Sequence, residues 1–132
     1  MVLWGDAAAA QAPAVFEEKL VDAALLTQVQ GGGFVLYLRH GATDSSRADR
    51  APSVDLHDCT TQRVLSDAGR KQASALGQIL QRARIPVGEV IHSPLCRARE
   101  SAQLTFANQP QLLRSEPLLA YTANLTTDEK NR

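Results

Sequence analysis

The chain has 132 residues, 44% of them hydrophobic, a composition that predicts one domain with enough apolar side chains for a core. Its 14 Lys and Arg residues balance 14 Asp and Glu residues, and the net charge of zero argues against a general nucleic-acid-binding protein, which is usually basic. No apolar run reaches the length that is needed to span a membrane, so we expect no membrane insertion.

Residues 1–13 form a leader that differs in composition from the rest of the chain. Alanines at residues 7–10 are typical of the small-residue end of a secretory signal, although the basic and strongly apolar parts of such a signal are not seen. A signal-peptide remnant predicts a periplasmic or secreted protein, whereas a plain Ala-rich leader is compatible with the cytoplasm. Residues 14–132 are predicted to form a single domain.

Hydrophobic spacing and turn residues divide this domain into alternating helices and strands. In chain order, the predicted elements are a helix over residues 14–29, a strand over 34–39, a polar stretch over 42–63, a helix over 66–83, a strand over 89–92, a helix over 95–106, a strand over 112–114 and the start of a helix at 128–132. The polar stretch, called the long loop (residues 42–63) below, is too long for a plain connector, so we expect a functional loop.

The alternation of strands and helices predicts an α/β fold, a three-layer, doubly wound and mostly parallel sheet. Parallel strands deliver their carboxyl ends to one edge of the sheet, where ligands bind in open α/β folds. Arg39-His40-Gly41 follows the first predicted strand, and Ser93 and Arg97 follow the second. We therefore expect these residues to share one site.

The residue types at this edge suit phosphate chemistry. An imidazole such as that of His40 can attack phosphorus as a nucleophile. The guanidinium groups of Arg39 and Arg97 can hold phosphate oxygens in a bidentate fork, and Gly41 lets the backbone approach an anion closely. No Cys, His or Asp spacing predicts a metal site, so we expect neither a metal nor a cofactor.

Cys59 and Cys96 are the two cysteines of the chain. An even count is compatible with one disulfide in an exported protein, and equally with two unrelated buried thiols in a reducing compartment. A bridge between them would attach the long loop to the helix that carries Arg97.

Three motifs in order resemble the histidine phosphatase superfamily, which includes phosphoglycerate mutases and small bacterial phosphohistidine phosphatases. The motifs are Leu38-Arg39-His40-Gly41, then Arg63-x-Leu65-Ser66-x-x-Gly69-Arg70-x-Gln72-Ala73, and then Ser93-Pro94-Leu95-Cys96-Arg97-Ala98. One Arg-His-Gly tripeptide is weak evidence, but three ordered motifs on suitable elements are strong evidence. The resemblance covers roughly residues 34–120 and implies a phosphoglycerate mutase-like fold.

The resemblance also implies roles for individual residues. His40 matches the nucleophile that becomes phosphorylated, while Arg39 and Arg97 match the arginines that bind the phosphate. Glu116 falls where some members place the proton donor, and Asp44 and Asp55 in the long loop are rival acids.

One family feature is not matched. The family uses a second histidine late in the chain, after a further strand, and neither His57 nor His92 corresponds to it. We therefore expect this sequence to be an incomplete form of a longer domain.

The sequence predicts a phosphatase that hydrolyses a phosphate monoester or a phosphohistidine through a phosphorylated His40. The substrate would be a phosphorylated small molecule or a phosphoprotein. The alternative is a non-catalytic module that binds a phosphate ligand or a protein on an incomplete phosphatase fold.

Overall fold

The computed structural model describes residues 17–120, so the predicted leader and the predicted helix start at residues 128–132 lie outside it. The α-helices and β-strands of the described residues are α1 (Ala23–Gln30), α2 (Asp67–Arg82), β1 (Val90–His92), α3 (Cys96–Thr105) and β2 (Leu113–Ser115). Within this part of the chain, no helix is both long and apolar enough to cross a membrane.

The two strands pair in parallel, as the sequence predicts, and α3 forms the crossover between them. Val90 lies opposite Leu113, and His92 lies opposite Ser115. The backbone N–H of Glu116 donates to the carbonyl of His92 (2.9 Å), which extends the pairing one residue past β2. This βαβ unit brings the carboxyl ends of both strands to one edge.

The segment over residues 34–39 is not a strand in the described structure, so that part of the sequence prediction is wrong. The sheet consists of β1 and β2, and Val35 and Tyr37 are 98% and 93% exposed. An extended apolar segment becomes a strand only where a neighbouring backbone completes its hydrogen bonds. None of residues 17–120 supplies that backbone. The α/β class therefore holds, while the predicted sheet is reduced here to two parallel strands.

Helix α1 is shorter than the predicted helix over residues 14–29. It begins after Asp22, whose carboxylate accepts a hydrogen bond from the backbone N–H of Leu25 (2.7 Å), and the described residues before it are not helical. A capping carboxylate of this kind satisfies an N–H that the helix leaves unpaired. The Gln30 side-chain amide donates to the carbonyl of Ala83 (2.7 Å) and so connects α1 to the end of α2.

Helix α2 begins at Asp67, directly after Ser66, the first residue of the predicted helix. The hydroxyl of Ser66 accepts from the N–H of Gly69 (3.1 Å) and caps the first turn. Arg84, which follows the last helical turn, has a φ of 53° in the left-handed region, a common way to end a helix.

Helix α3 begins one residue later than the predicted helix over residues 95–106. Leu95 occupies the cap position, and the hydroxyl of Ser93 accepts from the N–H of Leu95 (3.3 Å) before the helix starts at Cys96. The Ser93-Pro94 pair therefore shapes the turn that leads into α3.

The long loop is closed at its base and contributes to the core. Thr43 and Leu65 form an antiparallel bridge, and the N–H of Asp44 donates to the carbonyl of Val64 (3.0 Å). Leu65 and Val54 are fully buried. The loop thus contributes Val54 to the core of the domain.

Helices α2 and α3 cross closely because a glycine lies at their contact. A Cβ atom on Gly77 would stand 2.0 Å from the carbonyl oxygen of Thr105. The hydroxyl of Thr105 also donates to the carbonyl of Ala73 (3.1 Å), and the guanidinium of Arg70 pairs with Glu100 (2.6 Å). These contacts hold the two helices side by side, and both of them border the site described below.

We predict that Gly77→Ala destabilises the protein by about 1–3 kcal/mol, because the added methyl group overpacks the contact between α2 and α3. In an exposed helix the same change would stabilise by roughly 1 kcal/mol, so the sign of the effect tests the contact. The measurement is denaturant unfolding.

Gly88→Ala is the matched control, since nothing lies within 4 Å of a Cβ atom at Gly88. This variant should leave the free energy of unfolding unchanged or raise it slightly. If Gly77→Ala were as stable as Gly88→Ala, this result would contradict the close contact between α2 and α3 at Gly77.

Candidate active site

A cleft of about 320 Å³ opens beside the Arg-His-Gly tripeptide. It is lined by Arg39, His40, Gly41, Ala42, Thr43 and Gln72. Arg39 is exposed and His40 is half-buried, so both a cation and an imidazole are accessible from solvent.

A hydrogen bond to the backbone orients the imidazole of His40. Its Nδ1 lies 2.8 Å from the carbonyl oxygen of Gly41. A carbonyl can only accept, so Nδ1 carries a proton, and in the neutral ring Nε2 then has the lone pair. No hydrogen bond within the described structure occupies Nε2. The ring is therefore held in the tautomer that can act as a nucleophile through Nε2.

Gly41 is fixed by contacts with α2 and α3. A Cβ atom on Gly41 would stand 2.5 Å from the carbonyl oxygen of Gly69, and one on Gly69 would stand 1.9 Å from the carbonyl oxygen of Ala42. The N–H of Gly41 donates to the hydroxyl of Ser101 (3.0 Å), and the N–H of Ala42 donates to the side chain of Gln72 (3.0 Å). The two helices therefore hold the backbone next to His40.

Arg97 is buried in the first turn of α3, close to the tripeptide. The hydroxyl of Ser101 donates to the carbonyl of Arg97 (2.8 Å) while it accepts from Gly41. The guanidinium Nη1 of Arg97 contacts the carboxylate of Asp49 at 3.1 Å. The structure thus connects the backbones of Gly41 and Arg97, and it turns the Arg97 side chain toward the long loop.

The first N–H groups of α3 already have acceptors within the protein. The N–H of Cys96 donates to the side-chain oxygen of Gln62 (2.9 Å), and the N–H of Leu95 donates to Ser93. Gln62 is fully buried, and its amide also donates to the carbonyl of Asp55 (2.7 Å). Through the N–H of Cys96, this helix start therefore binds the long loop at a position where an anion would otherwise find a free donor.

Cys59 and Cys96 form a disulfide that joins the long loop to α3, with an S–S distance of 2.06 Å. A nitrogen of the Arg99 guanidinium lies 3.3 Å from the sulfur of Cys59 and 3.5 Å from that of Cys96. The bridge and Gln62 attach the same loop to the same helical turn.

Glu116 lies at the carboxyl end of β2, and the described hydrogen bonds and ion pairs do not join it to His40 or Arg97. Its carboxylate accepts from the N–H of Leu118 (3.1 Å) and pairs with Arg114 (3.0 Å). These two interactions, the backbone N–H first, hold the pKa of Glu116 below its usual range.

The rival acids both lie in the long loop. The hydroxyl of Ser46, and then its backbone N–H, donate to the Asp44 carboxylate and lower the pKa of that group. The Asp55 carboxylate accepts from the backbone N–H of His57 (2.8 Å). Each of these carboxylates therefore serves a local turn.

The structure brings in residues that sequence reasoning missed, namely Asp49, Gln62 and Ser101, and it places Gln72 of the second motif beside the cleft. Asp49 is one of several aspartates in the long loop, and nothing in the local sequence separates it from Asp44 or Asp55. Ser101 lies one helical turn after Arg97, and this spacing is the signal that could have suggested it.

A second cavity, of about 560 Å³, lies at the far ends of α2 and α3. Its lining includes Leu80, Ile85 and Phe106 and contains no titratable side chain. The smaller cleft beside His40 is the candidate active site because it carries an imidazole and a guanidinium.

The fold and the cleft define an α/β protein that presents the groups used in phosphate chemistry. Residues 35–120 match the histidine phosphatase superfamily (branch 1), and the chain belongs to that superfamily. The family predicted from the three sequence motifs is thereby confirmed. No match was found among curated proteins or among solved structures.

We predict that Glu116 titrates at a lower pH in the folded protein than in the unfolded chain, because Leu118 and Arg114 stabilise its ionised form. The stabilisation is present above the ordinary pKa of a glutamate and is lost as the pH falls through the depressed value. Carbon-detected NMR of the side-chain carboxyl measures the midpoint.

Arg114→Gln should move this midpoint upward, and the same titration in denaturant supplies the reference value. A Glu116 midpoint at or above that reference would contradict the two contacts.

We also predict that thiol titration of the denatured, unreduced protein finds no free thiol. The double variant Cys59→Ser with Cys96→Ser should lose roughly 4 kcal/mol of stability, the chain-entropy value for a loop closed over 37 residues. Two titratable thiols in the unreduced protein would end this assignment.

Proposed function

We propose that the protein is a phosphatase that hydrolyses a phosphate monoester or a phosphohistidine through a phosphohistidine on His40. The observation that carries this proposal is the hydrogen bond between Nδ1 of His40 and the carbonyl of Gly41, since it leaves Nε2 as the nucleophilic atom. Membership of the superfamily supports phosphatase-type activity in general.

In the first step, Nε2 of His40 attacks phosphorus and a nitrogen–phosphorus bond forms as the bond to the leaving oxygen breaks. In the second step, water attacks the phosphohistidine and releases inorganic phosphate, which returns the electron pair to Nε2. Arg39 and Arg97 would neutralise the phosphoryl oxygens during both transfers.

The leaving oxygen of a monoester takes up a proton, and Glu116, Asp44 and Asp55 are the carboxyl groups proposed to supply it. Hydrogen bonds lower the pKa of Glu116 and of Asp44, so each is ionised in the free protein at neutral pH. Either would need to gain its proton when substrate binds, since a nearby phosphate dianion raises the pKa of a carboxyl group.

We further propose that the protein works in an oxidising compartment, the periplasm or the exterior of the cell. The disulfide between Cys59 and Cys96 supports this, because such bonds persist mainly where thiols are not kept reduced. The substrate would be a phosphorylated small molecule or a phosphoprotein.

The test is rapid-quench labelling with a radiolabelled phosphate monoester and, separately, with a phosphohistidine peptide. We expect an acid-labile, alkali-stable label on His40, and we expect His40→Ala to lose turnover by more than about 1,000-fold. His92→Ala is the matched control, because Nδ1 of His92 makes the same kind of bond to the carbonyl of Ser93 (2.9 Å).

Unchanged turnover in His40→Ala would refute the nucleophile. If the wild-type protein bound phosphate tightly but showed neither label nor turnover, it would be a phosphate-binding module and not an enzyme.

A further inference from the structure

We propose that Asp49 is a positioning residue, which holds the guanidinium of Arg97 in the orientation that binds the transferred phosphoryl group. This inference rests on the proposed function, since it concerns the same site. Asp49 lies in the long loop, 48 residues before Arg97 in sequence, and it matches none of the three motifs that carry the resemblance to the family.

The contact between the two side chains is a buried ion pair. Nη1 of Arg97 lies 3.1 Å from Oδ1 of Asp49, and the two side chains are only 8% and 16% exposed. The same oxygen accepts the backbone N–H of Arg63 (2.8 Å). A buried guanidinium without a partner is costly, so Arg97 remains in its buried position because Asp49 is there.

The ion pair with Asp49 does not use all the donors of Arg97. A guanidinium has five N–H donors in a rigid planar fork, so an acceptor on one nitrogen fixes the plane while other donors stay available to phosphate oxygens. The carbonyl of Arg97 is held through Ser101, which also holds Gly41 beside His40. The Arg97 residue is thus held at its backbone carbonyl and at Nη1 of its guanidinium.

The position of Asp49 is itself set by the long loop. The N–H of the next residue, Arg50, donates to the carbonyl of Thr61 (2.9 Å), and the guanidinium of Arg47 donates to the carbonyl of Thr60 (2.8 Å). The disulfide at Cys59 then ties this part of the loop to the start of α3. The loop therefore presents its carboxylate to Arg97 from a fixed direction.

Asp49 has two separable effects on the site. Its oxygen orients Arg97, which favours phosphoryl transfer, while its negative charge opposes the binding of a phosphate dianion. The first effect acts on kcat and needs an acceptor at this position. The second acts on affinity and needs the charge.

The experiment separates the two effects with two substitutions. Asp49→Ala removes acceptor and charge, and we expect kcat for a phosphate monoester to fall about 10–100-fold because Arg97 loses its orientation. Asp49→Asn keeps an oxygen acceptor, and we expect its kcat to stay within about threefold of wild type. Rescue by Asn shows that the acceptor matters for the reaction.

A double-mutant cycle tests whether Asp49 acts through Arg97. In an Arg97→Lys background, Asp49→Ala should lower kcat less than about threefold further, because the group it orients is gone. Losses that multiply across the two positions would overturn the proposal. Equal kcat in wild type and Asp49→Ala, with both proteins folded, would also overturn it.

Binding of inorganic phosphate, measured by calorimetry, gives a readout that does not depend on turnover. Asp49→Asn should bind phosphate about three- to tenfold more tightly, whereas Asp67→Asn, which removes the same charge from an exposed position in α2, should not change the affinity. Equal effects of the two substitutions would overturn the proposal.

If wild type shows no turnover but Asp49→Ala binds phosphate more weakly than Asp49→Asn, the role of Asp49 stands while the enzymatic function fails, because these two variants differ in the acceptor and not in the charge.

Discussion

The first turn of α3 depends on the long loop, and the position of Arg97 depends on that turn. Gln62 supplies the acceptor for the N–H of Cys96, Asp49 supplies the counter-charge for Arg97, and a disulfide joins Cys59 to the same turn. A helix start that is buried leaves several N–H groups without partners, and here the side chain of Gln62 from the loop accepts one of them, that of Cys96. Arg97 is consequently presented by two parts of the chain at once.

The Arg-His-Gly tripeptide shows how a site can be positioned without a strand. The segment before it is exposed and unpaired in the described residues, yet Gly41 is held by backbone contact with Gly69 and by the hydroxyl of Ser101. The carbonyl of Gly41 then orients His40. Both helices that flank the cleft therefore contribute directly to the geometry of the imidazole.

Local signals in the sequence predict the elements that depend on local interactions. Ser66 caps α2 and the strand at Val90–His92 forms where expected, because capping and short apolar runs are decided by nearby residues. The strand over residues 34–39 fails because pairing needs a distant backbone. Asp49 could not be singled out for the same reason, since its partner lies far along the chain and its neighbours include similar aspartates.

The contact between Gly41 and Gly69 is made by main-chain atoms, and this has an evolutionary consequence. Main-chain contacts survive most side-chain replacements, provided that both positions keep glycine. Exposed side chains of the long loop can then diverge while the imidazole of His40 stays in place. One backbone contact would thus let the surroundings of the cleft change without moving its imidazole.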